Sequence, residues 1–162
     1  MKLTLDLQRE SADPALPAAP MVRRWVRAVL EGRRERAELT VRLVDEPEMI
    51  ELNQTYRHKT GPTNVLSFPF EAPPGISLAL LGDVVICAPV VAREATAQAK
   101  PLTAHWCHMV VHGVLHLLGF DHQTDNEAHT MEHLEADIIT ALGFADPYAE
   151  VNSTDERRHI RL

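Results

Sequence analysis

The sequence predicts an α+β fold, a small mixed β-sheet packed with helices, and three observations carry that prediction. Leu3, Leu5 and Leu7 alternate with polar neighbours, as do Leu39, Val41 and Leu43, which is the period-2 pattern of half-buried strands. Two further short apolar runs, residues 64–68 and 81–87, are bounded by glycine and proline. From Pro89 onward the texture is helical.

Taken in order, residues 2–8 read as a strand, Pro14 to Pro20 as a proline-rich loop, and the next segment as a helix. That segment sets Arg23, Arg24, Arg27, Arg33, Arg34 and Arg36 around Val22, Trp25, Val26, Val29 and Leu30. Its basic side reads as a solvated face at least as readily as an RNA-contacting one. A strand at 39–43 follows, and Pro47 stands where the first turn of a helix running to about Tyr56 accepts it. Strands at 64–68 and 81–87 flank a Pro-Pro-Gly turn at 73–75. Helices are expected near 89–99, 103–118 and 126–142. A chain of 162 residues suits one core of ordinary depth, so residues 1–150 are expected to form a single hydrolase domain and 151–162 a flexible charged tail.

Composition narrows the function classes. The net charge of −7 argues against coating nucleic acid by bulk electrostatics, and no DNA partner is expected. The charge is uneven: residues 1–60 carry 11 basic and 10 acidic side chains, residues 61–162 only 5 against 13. The N-terminus lacks a basic flank followed by an apolar run, and Asp83 interrupts the most apolar stretch, so the expectation is a cytoplasmic protein with no membrane partner. Cys87 and Cys107 have no CxxC spacing and read as buried thiols.

The chemistry concentrates on the helix at 103–118, which is apolar nearly all the way round and therefore expected to be buried. Beyond its first turn the polar residues are His108, His112 and His116, and a buried imidazole needs a partner that offsets its desolvation. His112 and His116, four apart, share one face and can aim a nitrogen each at one ion. His108 continues the row, but eight residues of helix rise about 12 Å, too far for one ion to bridge. A third ligand must come from chain that folds back: Gly119 suits a left-handed helix end, and His122 follows it. Three imidazoles leave a fourth position open on a zinc-like ion, the arrangement of a catalytic site.

The spacing His112-x3-His116-x2-Gly119-x2-His122 matches the HExxHxxGxxH pattern of metzincin proteases at each ligand and at the glycine, so the helix is zincin-like. Gly113 stands where those proteases carry the general-base glutamate, which counts against peptidase activity. A rival HxxEH pattern, His129 to His133, loses on periodicity, because Met131, Leu134, Ile138 and Leu142 define the apolar face and the two histidines fall opposite it.

The run His112-Gly113-Val114-Leu115-His116-Leu117-Leu118-Gly119-Phe120-Asp121-His122 resembles the hallmark H-G-x-L-H-L-x-G-[YF]-D-H of the YbeY-type endoribonucleases, bacterial ribosomal RNA maturation factors. Leu52 to Arg57, Pro62 to Phe68 and Gly82 to Ile86 are also similar to blocks of that family, with Asn64 where many members have Asp. The resemblance implies one zinc held by His112, His116 and His122, and catalytic roles for these three and for Arg57, whose permanent charge would stabilise a scissile phosphate. It implies cleavage of single-stranded RNA in ribosomal RNA maturation, including the 16S 3′ end, and in ribosome quality control, with the ribosome or small-subunit ribosomal proteins as partners. Metal-activated water and the adjacent ribose hydroxyl both remain open as nucleophile, and Asp83 and Asp121 stay unassigned. Two other classes are weighed against this one: a ribosome assembly factor with a structural metal, and a zinc peptidase.

Overall fold

The computed structural model describes residues 1–149, so the expected C-terminal tail lies outside the described residues. The element order is β1 (Lys2–Arg9), α1 (Ala19–Leu30), β2 (Arg36–Val44), α2 (Glu46–Arg57), β3 (Val65–Pro69), β4 (Leu80–Cys87), α3 (Ala88–Ala97), α4 (Leu102–Leu117) and α5 (Asp125–Ala141). The α+β expectation holds, with a four-stranded sheet of order β1-β2-β4-β3. β1, β2 and β4 run parallel, and β3 pairs antiparallel with β4 at the edge, which makes the sheet mixed.

The period-2 alternation sorts side chains to two faces. Leu39, Val41 and Leu43 of β2, with Val84 and Ile86 of β4, join the main core beneath α1 and α4. Val85 and Cys87 turn to the opposite face and meet Met49, Leu66 and partly buried Leu52 in a second cluster under α2. Both cysteines are buried free thiols, and burial pushes the Cys107 thiol up to about 12.

The basic segment departs from one continuous helix. α1 ends at Leu30, where Glu31 turns extended, and Arg36 already belongs to β2. Several of its guanidiniums face the protein: Arg23 donates to the Leu3 carbonyl and Arg27 to the Met1 carbonyl, so these two hold α1 against β1.

α4 is the central element, touching α1, α3, α5, β3 and β4. That placement is why its sequence is apolar on every side: Trp106, Met109, Val110, Val114 and Leu115 are all buried, each contributing roughly 1.5–3 kcal/mol of transfer free energy. The helix approaches the sheet most closely at Gly113. A Cβ there would sit 2.5 Å from Val84 Cγ1, and the Gly113 carbonyl accepts a 2.9 Å hydrogen bond from the Ser67 hydroxyl on β3. The residue that departs from the protease pattern is therefore the contact that lets α4 lie on the sheet.

Candidate metal centre

α4 ends in a Schellman motif. Gly119 takes φ +101°, its N–H donates to the His116 carbonyl, and the Phe120 N–H reaches back to Leu115. This reversal brings His122 alongside the helix it has just left. One nitrogen from each of His112, His116 and His122 lies within 4.8 Å of the others, the separation expected of a group that can hold one metal ion. His108 is not among them; as its rise along the helix requires, it is engaged elsewhere.

The donor set fits such an ion. Burial foremost, then the neighbouring His112 and His122, lowers the His116 pKa to about 4, so at neutral pH its lone pair is not lost to a proton. His112 is mostly buried, whereas His122 is exposed on the loop, which leaves the group open to solvent on one side. The open side is a cleft of about 780 Å³. Its walls include the three histidines, Arg57, Lys59 and Asn64. Arg57 is the last residue of α2, and its guanidinium donates 3.2 Å to the Ser67 carbonyl of β3. All four residues singled out in the sequence thus border one cavity.

Two acids left unassigned from sequence now have places. Asp121 Oδ1 accepts the His122 backbone N–H at 2.7 Å, shaping the turn that delivers the third histidine. Asp83 borders a separate cleft on the other face of the sheet, with Arg42, Tyr56 and Phe68. The rival HxxEH segment lies on α5 with His129 and His133 exposed and Met131 buried in the main core, as its periodicity predicts.

Sequence reading missed Glu135. It lies on the buried face of α5 between Met131 and Ile138 and is 1% exposed. One carboxylate oxygen is 2.6 Å from His112 Nδ1; the other is 2.7 Å from His108 Nε2 and also accepts from the Tyr148 hydroxyl. Burial alone would raise its pKa, but the hydrogen bonds from His108 and His112 outweigh it and hold the carboxyl well below the usual range. Burial lowers the pKa of His108, which favours its neutral form. The available signal was an acid at a core position of an amphipathic helix, where a charge is costly unless something bonds it. A second pair was missed as well: His105, fully buried, bonds Glu94 of α3 at 2.9 Å, and Asn64 donates to the same carboxylate.

Fold and site together define an α+β protein with a zincin-like helix and a three-histidine group suited to one metal ion. The chain belongs to the endoribonuclease YbeY family, whose model matches residues 8–143. It is also similar in fold to TM1509 from Thermotoga maritima, known from a solution structure. That likeness has a TM-score of 0.54 and 19% identity, and covers 89% of this chain and 99% of the other. No helix among the described residues is long and apolar enough to cross a membrane.

Proposed function

We propose that this protein is a metal-dependent endoribonuclease that cleaves single-stranded RNA during ribosomal RNA maturation, including the 16S 3′ end, and in ribosome quality control. The observation that carries the reading is the convergence of His112, His116 and His122 in a cleft that Arg57 also borders. Membership of an endoribonuclease family supports the substrate class. Zinc suits three neutral imidazoles, and when bound it would supply Lewis acidity at a phosphoryl oxygen.

The chain's own residues supply the rest. His112, His116 and His122 would hold the ion, and Arg57, permanently charged and able to grip two oxygens at once, would bind the scissile phosphate and offset charge developing on it. Lys59 adds a second cation to the cleft wall, so a chain of net charge −7 can still draw a phosphodiester locally. Gly113 carries no side chain to act as a base, and its tight contact with Val84 leaves no room for one, which sets the reading apart from a peptidase. The setting proposed is the cytoplasm, with the ribosome or small-subunit ribosomal proteins as partners and residues 1–150 acting as one hydrolase domain.

The test is a time course of end-labelled single-stranded RNA with zinc-loaded protein, chelated protein and His116→Ala. Cleavage by the loaded wild type alone is expected. Equal cleavage by all three would point to a contaminating nuclease, and no cleavage by wild type shown to hold its metal would favour an assembly factor. Product ends identify the nucleophile: a 2′,3′-cyclic phosphate indicates the ribose hydroxyl, and a 5′-phosphate excludes it.

A further inference from the structure

A carboxylate that is 1% exposed is expensive, by several kcal/mol, unless a cation or a full set of donors compensates it. Glu135 has no guanidinium or ammonium bonded to it among the described residues. Its donors are two imidazoles and a phenol: His112 on one oxygen, His108 and Tyr148 on the other. A carboxylate only accepts, so at 2.6 Å the proton between it and His112 belongs to Nδ1. A neutral imidazole has one N–H, so Nε2 of His112 then carries the lone pair.

We infer that Glu135 is the positioning residue of the metal centre, fixing His112 as the Nδ1–H tautomer so that Nε2 is offered to the ion, and placing a buried negative charge behind that ligand. The inference rests on reading the three histidines as a metal site. It explains why an acid occupies a core position of α5, and it gives His108 a role although His108 lies too far along the helix to be a ligand. His108 Nε2–H and the Tyr148 hydroxyl hold the carboxylate so that it cannot swing away from His112, and His108 is itself only 1% exposed. His108 Nδ1 has no partner, which suits a bare lone pair in a neutral ring and would not suit a buried N–H. Tyr148 comes from chain beyond α5, so the segment after the last helix closes the back of the site. A negative charge behind a ligand histidine raises the basicity of the opposite nitrogen, and losing such a group costs roughly 10–100-fold in metal affinity.

Glu135→Gln in the full chain tests this. The glutamine carbonyl can accept from one histidine, but its amide then confronts the N–H of the other. Zinc affinity, read by competition with a chromogenic chelator, is expected to fall roughly 10–100-fold. In the metal-free protein, nitrogen chemical shifts are expected to show His112 as Nδ1–H in wild type and as a tautomer mixture in the variant. Tyr148→Phe, which leaves both histidine bonds in place, is expected to lower zinc affinity by less than about tenfold. A Glu135→Gln protein with native circular dichroism, wild-type zinc affinity and an unchanged tautomer would overturn the inference. Should that variant not fold, an Nε2–H tautomer for His112 in wild type would overturn it equally. Loss of affinity in Glu135→Gln beside a zinc-loaded wild type that cuts no RNA would sustain the positioning role and sink the ribonuclease reading. Wild-type affinity in the variant beside active wild type would do the reverse.

Discussion

His105 and His112 stand seven residues apart on the same helix, and each bonds a carboxylate from a neighbouring helix, Glu94 at 2.9 Å and Glu135 at 2.6 Å. Their surroundings then diverge. His105 is fully buried, with its second nitrogen unpartnered inside the protein, and Glu94 is further tied to Asn64. His112 borders the open cleft, where His116 and His122 bring their own nitrogens within 4.8 Å. The same hydrogen-bonded pair therefore serves packing at one end of α4 and, on the proposed reading, ligation at the other. What separates the core histidine from the candidate ligand is the outlook of the nitrogen that the carboxylate leaves free.

The largest effects should come from exchanging losses between the two ends. His116→Ala removes a ligand from the cleft, and three donors reduced to two should abolish measurable zinc binding, a loss of more than about 10³-fold, while the chain keeps its fold. His105→Ala should do the opposite: zinc affinity within a few-fold of wild type, but stability lower by about 2–4 kcal/mol, because a cavity opens and Glu94 loses a donor. Chelator competition and urea unfolding on both variants decide the matter. If His105→Ala also lost zinc with its fold intact, the division of α4 into a packing end and a ligating end would be wrong.

One side of this division, the three-histidine group, was legible in the sequence, and the reasons are physical. His112, His116, Gly119 and His122 could be read because helix rise and the left-handed turn are local constraints that spacing alone expresses. The strands could be read because alternation records which face of a sheet is buried, and the observed bounds of every element except α1 lie within a few residues of those expected. The basic segment was less legible: charge marks it, but the break at Leu30 and the use of Arg23 and Arg27 to bond the Leu3 and Met1 carbonyls depend on tertiary contact. Glu135 and Glu94 were illegible as partners because each meets its histidine across an interface between helices, at sequence separations of 23 and 11 that no local pattern encodes.

Within the ligating end, one residue past His112, lies Gly113, where the helix meets the sheet. Gly113→Ala puts a Cβ 2.5 Å from Val84 Cγ1 and 3.4 Å from Ser67 Oγ, so α4 must lift or Val84 must shift. A cost of about 1–3 kcal/mol is expected, read as a lower urea midpoint. Because Ser67 also offers its carbonyl to Arg57, a lifted helix should lower any RNA cleavage before it lowers zinc affinity. An alanine variant as stable as wild type would mean that the helix is not seated on β4 as closely as described.

The smallest effect should come from Asn64, which donates to both oxygens of Glu94 at 3.1 and 3.2 Å. Burial pushes the Glu94 carboxyl up, but bonds from His105 and Asn64 prevail and hold it below the ordinary carboxylate value. A folded-state pKa below the unfolded one means that Glu94 stabilises the protein above the ordinary carboxylate range and that this contribution fades as pH falls through the lowered value. Asn64→Asp replaces the donor with a second acid, so near neutral pH two carboxylates face one another and about 1 kcal/mol should be lost. Acidification shrinks the difference: as one of the pair takes a proton, the variant should regain stability relative to wild type. Urea midpoints at about pH 7 and about pH 5 would show the gap narrowing, with zinc affinity unchanged at the higher pH. A gap that stayed constant with pH would mean that the loss does not come from a second carboxylate facing Glu94, and the proposed coupling of Asn64 to the packing end of α4 would be wrong.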